Sequence, residues 1–185
     1  MNVILVGFRG SGKTTVGRAL AERLKREFID CDEYIERRTQ LSIAEIFSRH
    51  GESHFRTLES EALAELSALD GKVIATGGGA VLKYQNMQVF KRNGCRIFFL
   101  EVGPETALAR IQADPATRSR RPALTAKDPG VEIREQIQLR TPYYLKAADV
   151  VVHSENRAVP EIVDEIVRDI EGRPPEERGE PAIIS

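Results

Sequence analysis

Gly7-Phe8-Arg9-Gly10-Ser11-Gly12-Lys13-Thr14 is a complete G-x-x-x-x-G-K-[ST] loop, standing directly after the apolar run Val3-Ile4-Leu5-Val6 and directly before a helical pattern that begins at Lys13. This context leaves the chain few folds. A buried strand must deliver the backbone to a glycine turn, and the helix behind it points its free N–H groups and positive end at whatever the turn holds. Successive N–H groups from Gly10, Ser11, Gly12, Lys13, Thr14 and Thr15 then cradle a polyphosphate. Lys13 reaches the β- and γ-phosphates, and the Thr14 hydroxyl can ligate Mg²⁺. The loop predicts a site for a nucleoside triphosphate.

The remainder alternates short apolar runs with amphipathic helical stretches, which implies βαβ units around a parallel sheet and a three-layer α/β fold. Strands are expected at 3–6, 28–30, 73–76, 97–102 and 150–153. Helices are expected at 13–27, 42–49, 52–69, 84–93, 104–113, 130–147 and 158–172. Ser42 and Glu45 have capping-box spacing ahead of the apolar positions Ile43, Ile46 and Phe47. Residues 114–130, rich in Arg, Pro, Thr and Asp, read as a mobile surface loop, and loops of such length are commonly functional lids. Residues 173–185 hold too little apolar surface to fold alone and read as a flexible tail behind a single domain, 1–172.

Charge and cysteine usage narrow the function. A net charge of −1 over 185 residues counts against nucleic acid as a partner. No run approaches the ~20 apolar residues of a membrane span, and the N-terminus enters its first strand without a signal sequence. The two cysteines, Cys31 and Cys95, have neither metal nor disulfide spacing. A soluble cytoplasmic protein is expected.

Four further features carry chemistry. Asp30-Cys31-Asp32 falls at the end of the second strand, where i and i+2 side chains share a face and where ligands gather in parallel α/β sheets. One carboxylate could hold hydrated Mg²⁺ while the other accepts a proton from an attacking hydroxyl; alternatively the pair caps the helix that begins near Glu33. Arg56 either faces a ligand or pairs with Glu52 and Glu59 on its own helix. Gly77-Gly78-Gly79 follows the third strand and permits close approach of backbone to a ligand. Arg140 precedes Pro142, which should end or kink its helix. With the phosphate loop, these parts suffice for a phosphotransferase, whose chemistry is chiefly positioning and charge neutralisation. Closure of the arginine-rich loop would exclude water and favour an organic hydroxyl as acceptor.

From about residue 1 to residue 172 the chain resembles the shikimate kinases. The resemblance rests on the phosphate loop, Asp30-x-Asp32, Ser42-Ile43-Ala44-Glu45-Ile46-Phe47, Glu52-x-x-Phe55-Arg56-x-x-Glu59, Gly77-Gly78-Gly79-Ala80-Val81, Arg121-Pro122 and Arg140-x-Pro142-x-Tyr144. It implies a P-loop kinase of the nucleoside-monophosphate-kinase type with a five-stranded parallel sheet in the order 2-3-1-4-5. The implied reaction moves the γ-phosphate of ATP to the 3-hydroxyl of shikimate, with Mg²⁺ as cofactor and the chain acting as a monomer. It also implies a substrate-binding segment over about 30–60 and a lid over about 114–130. Asp32 would contact the acceptor hydroxyl as base, with Lys13 and Arg121 also catalytic, and Asp30 would hold Mg²⁺ through water beside Thr14. Arg56 and Arg140 would grip the shikimate carboxylate, and Gly77, Gly78 and Gly79 would bring backbone to the substrate. Arg121 would contact ATP phosphates, while Arg110 and Arg157 would flank adenine. Arg118 and Arg120 receive no role.

Other readings are a kinase for gluconate or a nucleoside monophosphate, an inactive binding protein on the same fold, and an ATPase or GTPase switch. For the first, a nucleotide acceptor would need aromatic or amide-rich residues for a second base, and none is evident, while gluconate is left to a comparison of turnover. The second would require loss of a base, lysine or arginine that this chain retains. The third lacks an N-K-x-D element for guanine.

Overall fold

All four residues of β1 (Val3–Val6) are buried, as a strand covered on both faces must be. The computed structural model describes residues 1–114, 128–172 and 182–183, and β1 lies at the middle of its parallel sheet. β3 (Lys72–Ala75) pairs with one edge of β1 and β4 (Arg96–Glu101) with the other. Outside these lie β2 (Glu27–Asp30) and β5 (Val150–His153). The order β2-β3-β1-β4-β5 is the one the resemblance implies. It is extended at one edge by β6 (Ala182–Ile183), which runs parallel to β5 and was not expected from the sequence. The rest of the expected tail, 173–181 and 184–185, and most of the expected lid, 115–127, lie outside the described residues.

Alternation along β1 divides the core into two layers. Ile4 and Val6 face α2 (Cys31–Thr39), α3 (Ile43–Ser67), α4 (Tyr84–Arg92) and α6 (Pro129–Ala147), packing in the cluster that holds Ile35, Phe55, Leu63, Phe90 and Tyr144. Val3 and Leu5 face α1 (Lys13–Leu24) and α7 (Val159–Gly172), whose Val16, Leu20, Ile162 and Ile166 recur at helical spacing. α5 (Pro104–Ala113) packs against α6 beside the phosphate loop. Every strand thereby delivers its C-terminal end to one rim of the sheet, where α/β folds bind ligands.

Three boundaries differ from the sequence pattern. α1 stops at Leu24, because Lys25 turns left-handed at φ 53° and returns its N–H to the carbonyls of Ala21 and Glu22. α3 ends at Ser67, two residues short of the expected 69, while the division expected between 42–49 and 52–69 is present at Gly51, whose φ 80° and ψ 172° interrupt the helix. Its start carries the capping box: Ser42 accepts from the Glu45 N–H, and Glu45 accepts from the Ser42 N–H. Finally, α6 neither ends nor breaks at Pro142. Arg140, Tyr144 and Ala147 are buried on both sides of the proline, and that burial outweighs the one backbone bond it removes. Continuity here keeps Arg140 and Tyr144 one turn apart on a single face.

Candidate active site

At the mouth of the sheet the phosphate loop wraps the N-terminus of α1. Gly12 caps that helix at φ 92°, a left-handed conformation that costs a side-chain-bearing residue about 1–2 kcal/mol. The Lys13 ammonium donates to the carbonyl oxygens of Gly7 (2.8 Å) and Phe8 (2.9 Å), which holds it over the loop. Arg110, from α5, donates to the Gly10 carbonyl at 3.2 Å and to the Ser154 carbonyl beyond β5 at 2.9 Å. It therefore bridges the loop to the far end of the sheet. Thr14, Thr15, Asp30, Asp32, Gly77 and Gly78 line the same open cleft.

The carboxylate pair is built differently from the strand-face expectation. β2 ends at Asp30, and α2 begins at Cys31, so Asp32 stands in the first helical turn. Asp30 is the N-cap, its Oδ1 accepting from the Asp32 N–H at 3.0 Å. The capping alternative is therefore realised for Asp30 without removing either carboxylate from the cleft. Cys31 turns into the core, fully buried. The Thr14 hydroxyl donates to Asp30 Oδ2 at 3.0 Å, joining the end of β2 to the phosphate loop.

Burial pushes the Asp30 carboxyl above the usual aspartate range, the nearby Asp32 charge adds to this, and the Thr14 bond opposes it. A hydroxyl and adjacent carboxylates that repel one another form a hard oxygen set suited to Mg²⁺. No group of three or more His, Cys, Asp or Glu that could hold a metal ion occurs among the described residues. Mg²⁺ commonly combines one or two carboxylates with water and substrate phosphates, so these residues fit it.

The raised pKa makes a stability prediction. The folded chain holds the Asp30 proton more tightly than the unfolded chain, so ionisation of Asp30 opposes folding. That penalty is absent below the ordinary aspartate range, grows as pH rises from there to the raised value, and persists above it. Asn caps helices about as well as Asp. In metal-free protein Asp30→Asn should therefore raise Tm at neutral pH, with the difference vanishing near about pH 3, while Mg²⁺-dependent turnover falls. Thermal unfolding across pH checks it; a variant less stable than the parent at neutral pH would contradict the sign.

Gly77 and Gly78 line the cleft, and beyond them two arginines that do not themselves line it converge on the same glycine turn. Arg56 donates to Glu59 at 2.8 Å and to Glu52 at 3.0 Å. Glu59 is only 1% exposed. Burial works against the Arg56 charge, but Glu59 and Glu52 outweigh it and hold the guanidinium pKa above its ordinary value. Both expected ion pairs thus exist, with the guanidinium held beside the glycine turn. A Cβ on Gly79 would lie 2.5–2.8 Å from the Arg56 guanidinium, so glycine is what lets that group settle on the turn. From α6, Arg140 is 9% exposed, donates to the Gly78 carbonyl at 3.4 Å and lies 5.6 Å from the centre of the Phe8 ring.

Not every expected residue gathers here. Arg157 bonds the His153 carbonyl at 3.1 Å and Glu165 of α7 at 2.5 Å, and it does not line the cleft. Arg118, Arg120 and Arg121 lie outside the described residues. Conversely, Arg9 from the phosphate loop lines the cleft and pairs with the buried Glu132 of α6 at 3.4 Å. No local signal marks that pair, because 123 positions separate its members. Thr76 also lines the cleft, anchored by its N–H to the Leu5 carbonyl. Tyr144, singled out by motif alone, bonds the Gly78 carbonyl at 2.6 Å.

Comparison with known proteins identifies the family. The family model described as Shikimate kinase matches residues 9–171. A shikimate kinase of Symbiobacterium thermophilum is 41% identical over 173 residues, covering 94% of this chain and 98% of that protein. One from Pseudomonas paraeruginosa is 42% identical over 175 residues, covering 95% of this chain and 99% of that one. The solved shikimate kinase of Acinetobacter baumannii in complex with shikimate superposes with a TM-score of 0.85 at 37% identity, covering 92% of this chain and 93% of that one. A gluconokinase from Sinorhizobium meliloti shares the fold at a TM-score of 0.59, but at 16% identity it speaks to the fold alone. The chain belongs to the shikimate kinase family.

Proposed function

We propose that this chain transfers the γ-phosphoryl group of ATP to the 3-hydroxyl of shikimate, giving shikimate 3-phosphate and ADP. The observation that carries this reading is the convergence of Arg56 and Arg140 on the Gly77–Gly79 turn, next to a phosphate loop and a carboxylate pair. Two guanidinium forks beside a glycine turn suit a small carboxylate better than a second nucleotide. The related Acinetobacter baumannii enzyme was solved with shikimate.

In this reading Arg56 and Arg140 hold the shikimate carboxylate and so fix the ring against the phosphate loop. Asp32 accepts the proton of the attacking hydroxyl as the new O–P bond forms and the bond from the γ-phosphorus to the β–γ bridging oxygen breaks, releasing ADP. Lys13 exchanges its contacts with the Gly7 and Phe8 carbonyls for the β- and γ-phosphates. Thr14, and Asp30 through water, would hold Mg²⁺, which supplies neutralisation of phosphate charge. Arg110 and Arg157 are assigned to flank adenine, a role that Arg110's place in the cleft supports and that Arg157's lacks. Arg121, outside the described residues, is assigned to the ATP phosphates from a lid over about 114–130.

Among the described residues no helix is long and apolar enough to cross a membrane. Both cysteines are buried and neither is in a disulfide, which suits a reducing compartment. A monomeric, cytoplasmic enzyme with one domain over 1–172 completes the reading. Coupled ADP-release assays should show turnover that depends on shikimate, with gluconate and nucleoside monophosphates giving no more than the ATP-only background. Release that is indifferent to shikimate, or faster with either alternative acceptor, would overturn it.

A further inference from the structure

The shared motif Arg140-x-Pro142-x-Tyr144 ends on a residue that neither phosphoryl transfer nor carboxylate binding uses. Tyr144 is 1% exposed, and its ring stacks on Phe99 of β4 with centroids 4.8 Å apart and planes at 17°. A phenylalanine would make the same stack. What the hydroxyl adds is a 2.6 Å bond to the Gly78 carbonyl, the oxygen that Arg140 also reaches at 3.4 Å.

That carbonyl belongs to the central peptide of a four-residue turn. The Ala80 N–H donates to the Gly77 carbonyl at 3.1 Å, and Gly79 has φ −99° and ψ −5°, the third-residue conformation of a type I turn. Such a turn has a second form, type II, reached by rotating the central peptide through roughly 180°. Type II needs a positive φ at position 79, which glycine adopts freely. The glycine that admits the Arg56 guanidinium thus also leaves this peptide able to flip. In a trans peptide the C=O and N–H point in opposite directions. Holding the Gly78 oxygen inward on Tyr144 turns the Gly79 N–H outward; after a flip, a carbonyl oxygen would face outward instead and would repel an oxygen-rich acceptor.

We propose that Tyr144 is a positioning residue that locks the Gly78–Gly79 peptide in the orientation offering the Gly79 N–H to the acceptor. The proposal rests on the reading of Gly77–Gly79 as acceptor contacts. Arg140 assists at longer range, and the stack on Phe99 fixes the phenol so that its hydroxyl cannot follow a flipping carbonyl.

Tyr144→Phe keeps the stack and removes the latch. In ¹⁵N-labelled protein without ligands, the single Gly79 amide resonance should broaden or split in the variant as the second orientation becomes populated. The KM for shikimate should rise about fivefold, the scale of one lost hydrogen bond. The KM for ATP and kcat at saturating shikimate should stay within about twofold. An unchanged Gly79 resonance would overturn the proposal whatever happens to KM, since the hydroxyl would then serve the core alone. A split resonance with unchanged shikimate KM would uphold the latch and overturn instead the reading of the turn as an acceptor contact.

Discussion

Asp32→Asn lowers kcat by roughly 10²–10⁴, the usual span for removing a general base, while ATP affinity stays near that of the parent. The position makes the substitution clean. Asp32 lies in the first turn of α2, and its N–H, unchanged in Asn, is what Asp30 accepts to cap the helix. Cys31 still fills the core, and the bond from Thr14 to Asp30 is untouched. The variant therefore keeps the helix cap while losing a proton acceptor and one negative charge. Loss of that charge relieves Asp30, so Mg²⁺-linked ATP binding should weaken only slightly. Single-turnover kinetics with shikimate, beside calorimetric titration of ATP, separate the two effects. Near-normal turnover in folded Asp32→Asn protein would remove Asp32 as the base and leave charge placement alone to drive the reaction.

Much of this architecture was legible because its signals are local. The phosphate loop between an apolar run and a helical pattern fixes β1 and α1 within one sentence of sequence. Ser42 and Glu45 sit three residues apart, and their capping box forms as the spacing implies. The Asp30–Asp32 pair shows where local reading fails. Period-two alternation holds only while the strand continues, and the chain changes to a helix at Cys31. The carboxylates meet in the cleft through cap geometry, so the expected result arose from a different cause.

Pro142 failed for the opposite reason. Its local rule is sound, but α6 is held on both sides by buried residues from distant parts of the fold. Gly51 is the opposite case, since a glycine between two helical patterns marks locally where α3 leaves helical geometry. Arg56 presented two readings that the sequence treats as rivals. Only the position of Gly79, 23 residues later, shows that Glu52 and Glu59 hold the guanidinium beside the glycine turn. The pair Arg9–Glu132 and the bond from Tyr144 to Gly78 are wholly long-range.

Arg140→Lys and Arg56→Lys each weaken shikimate binding by about 1.5–3 kcal/mol, the worth of a hydrogen bond to a charged group, or roughly 10- to 150-fold in Kd. Both changes keep the charge, so a site that reads only net charge would barely respond. Lysine cannot supply the planar fork that meets a carboxylate with two parallel N–H bonds. The larger effect belongs to Arg140. It is the more buried of the two and also reaches the Gly78 carbonyl, so a lysine there must desolvate a more strongly hydrated ammonium beside the Phe8 ring. At position 56 an ammonium can still satisfy the buried Glu59, so stability should hold while the geometry of carboxylate capture is lost. ATP affinity should be unaffected in either variant, because neither arginine lines the phosphate end of the cleft. Titration calorimetry with shikimate and with ATP tests both statements. Unchanged shikimate affinity in both variants would mean that these arginines serve the ion-pair and packing networks of the fold, and the acceptor's carboxylate would have to be sought elsewhere in the cleft.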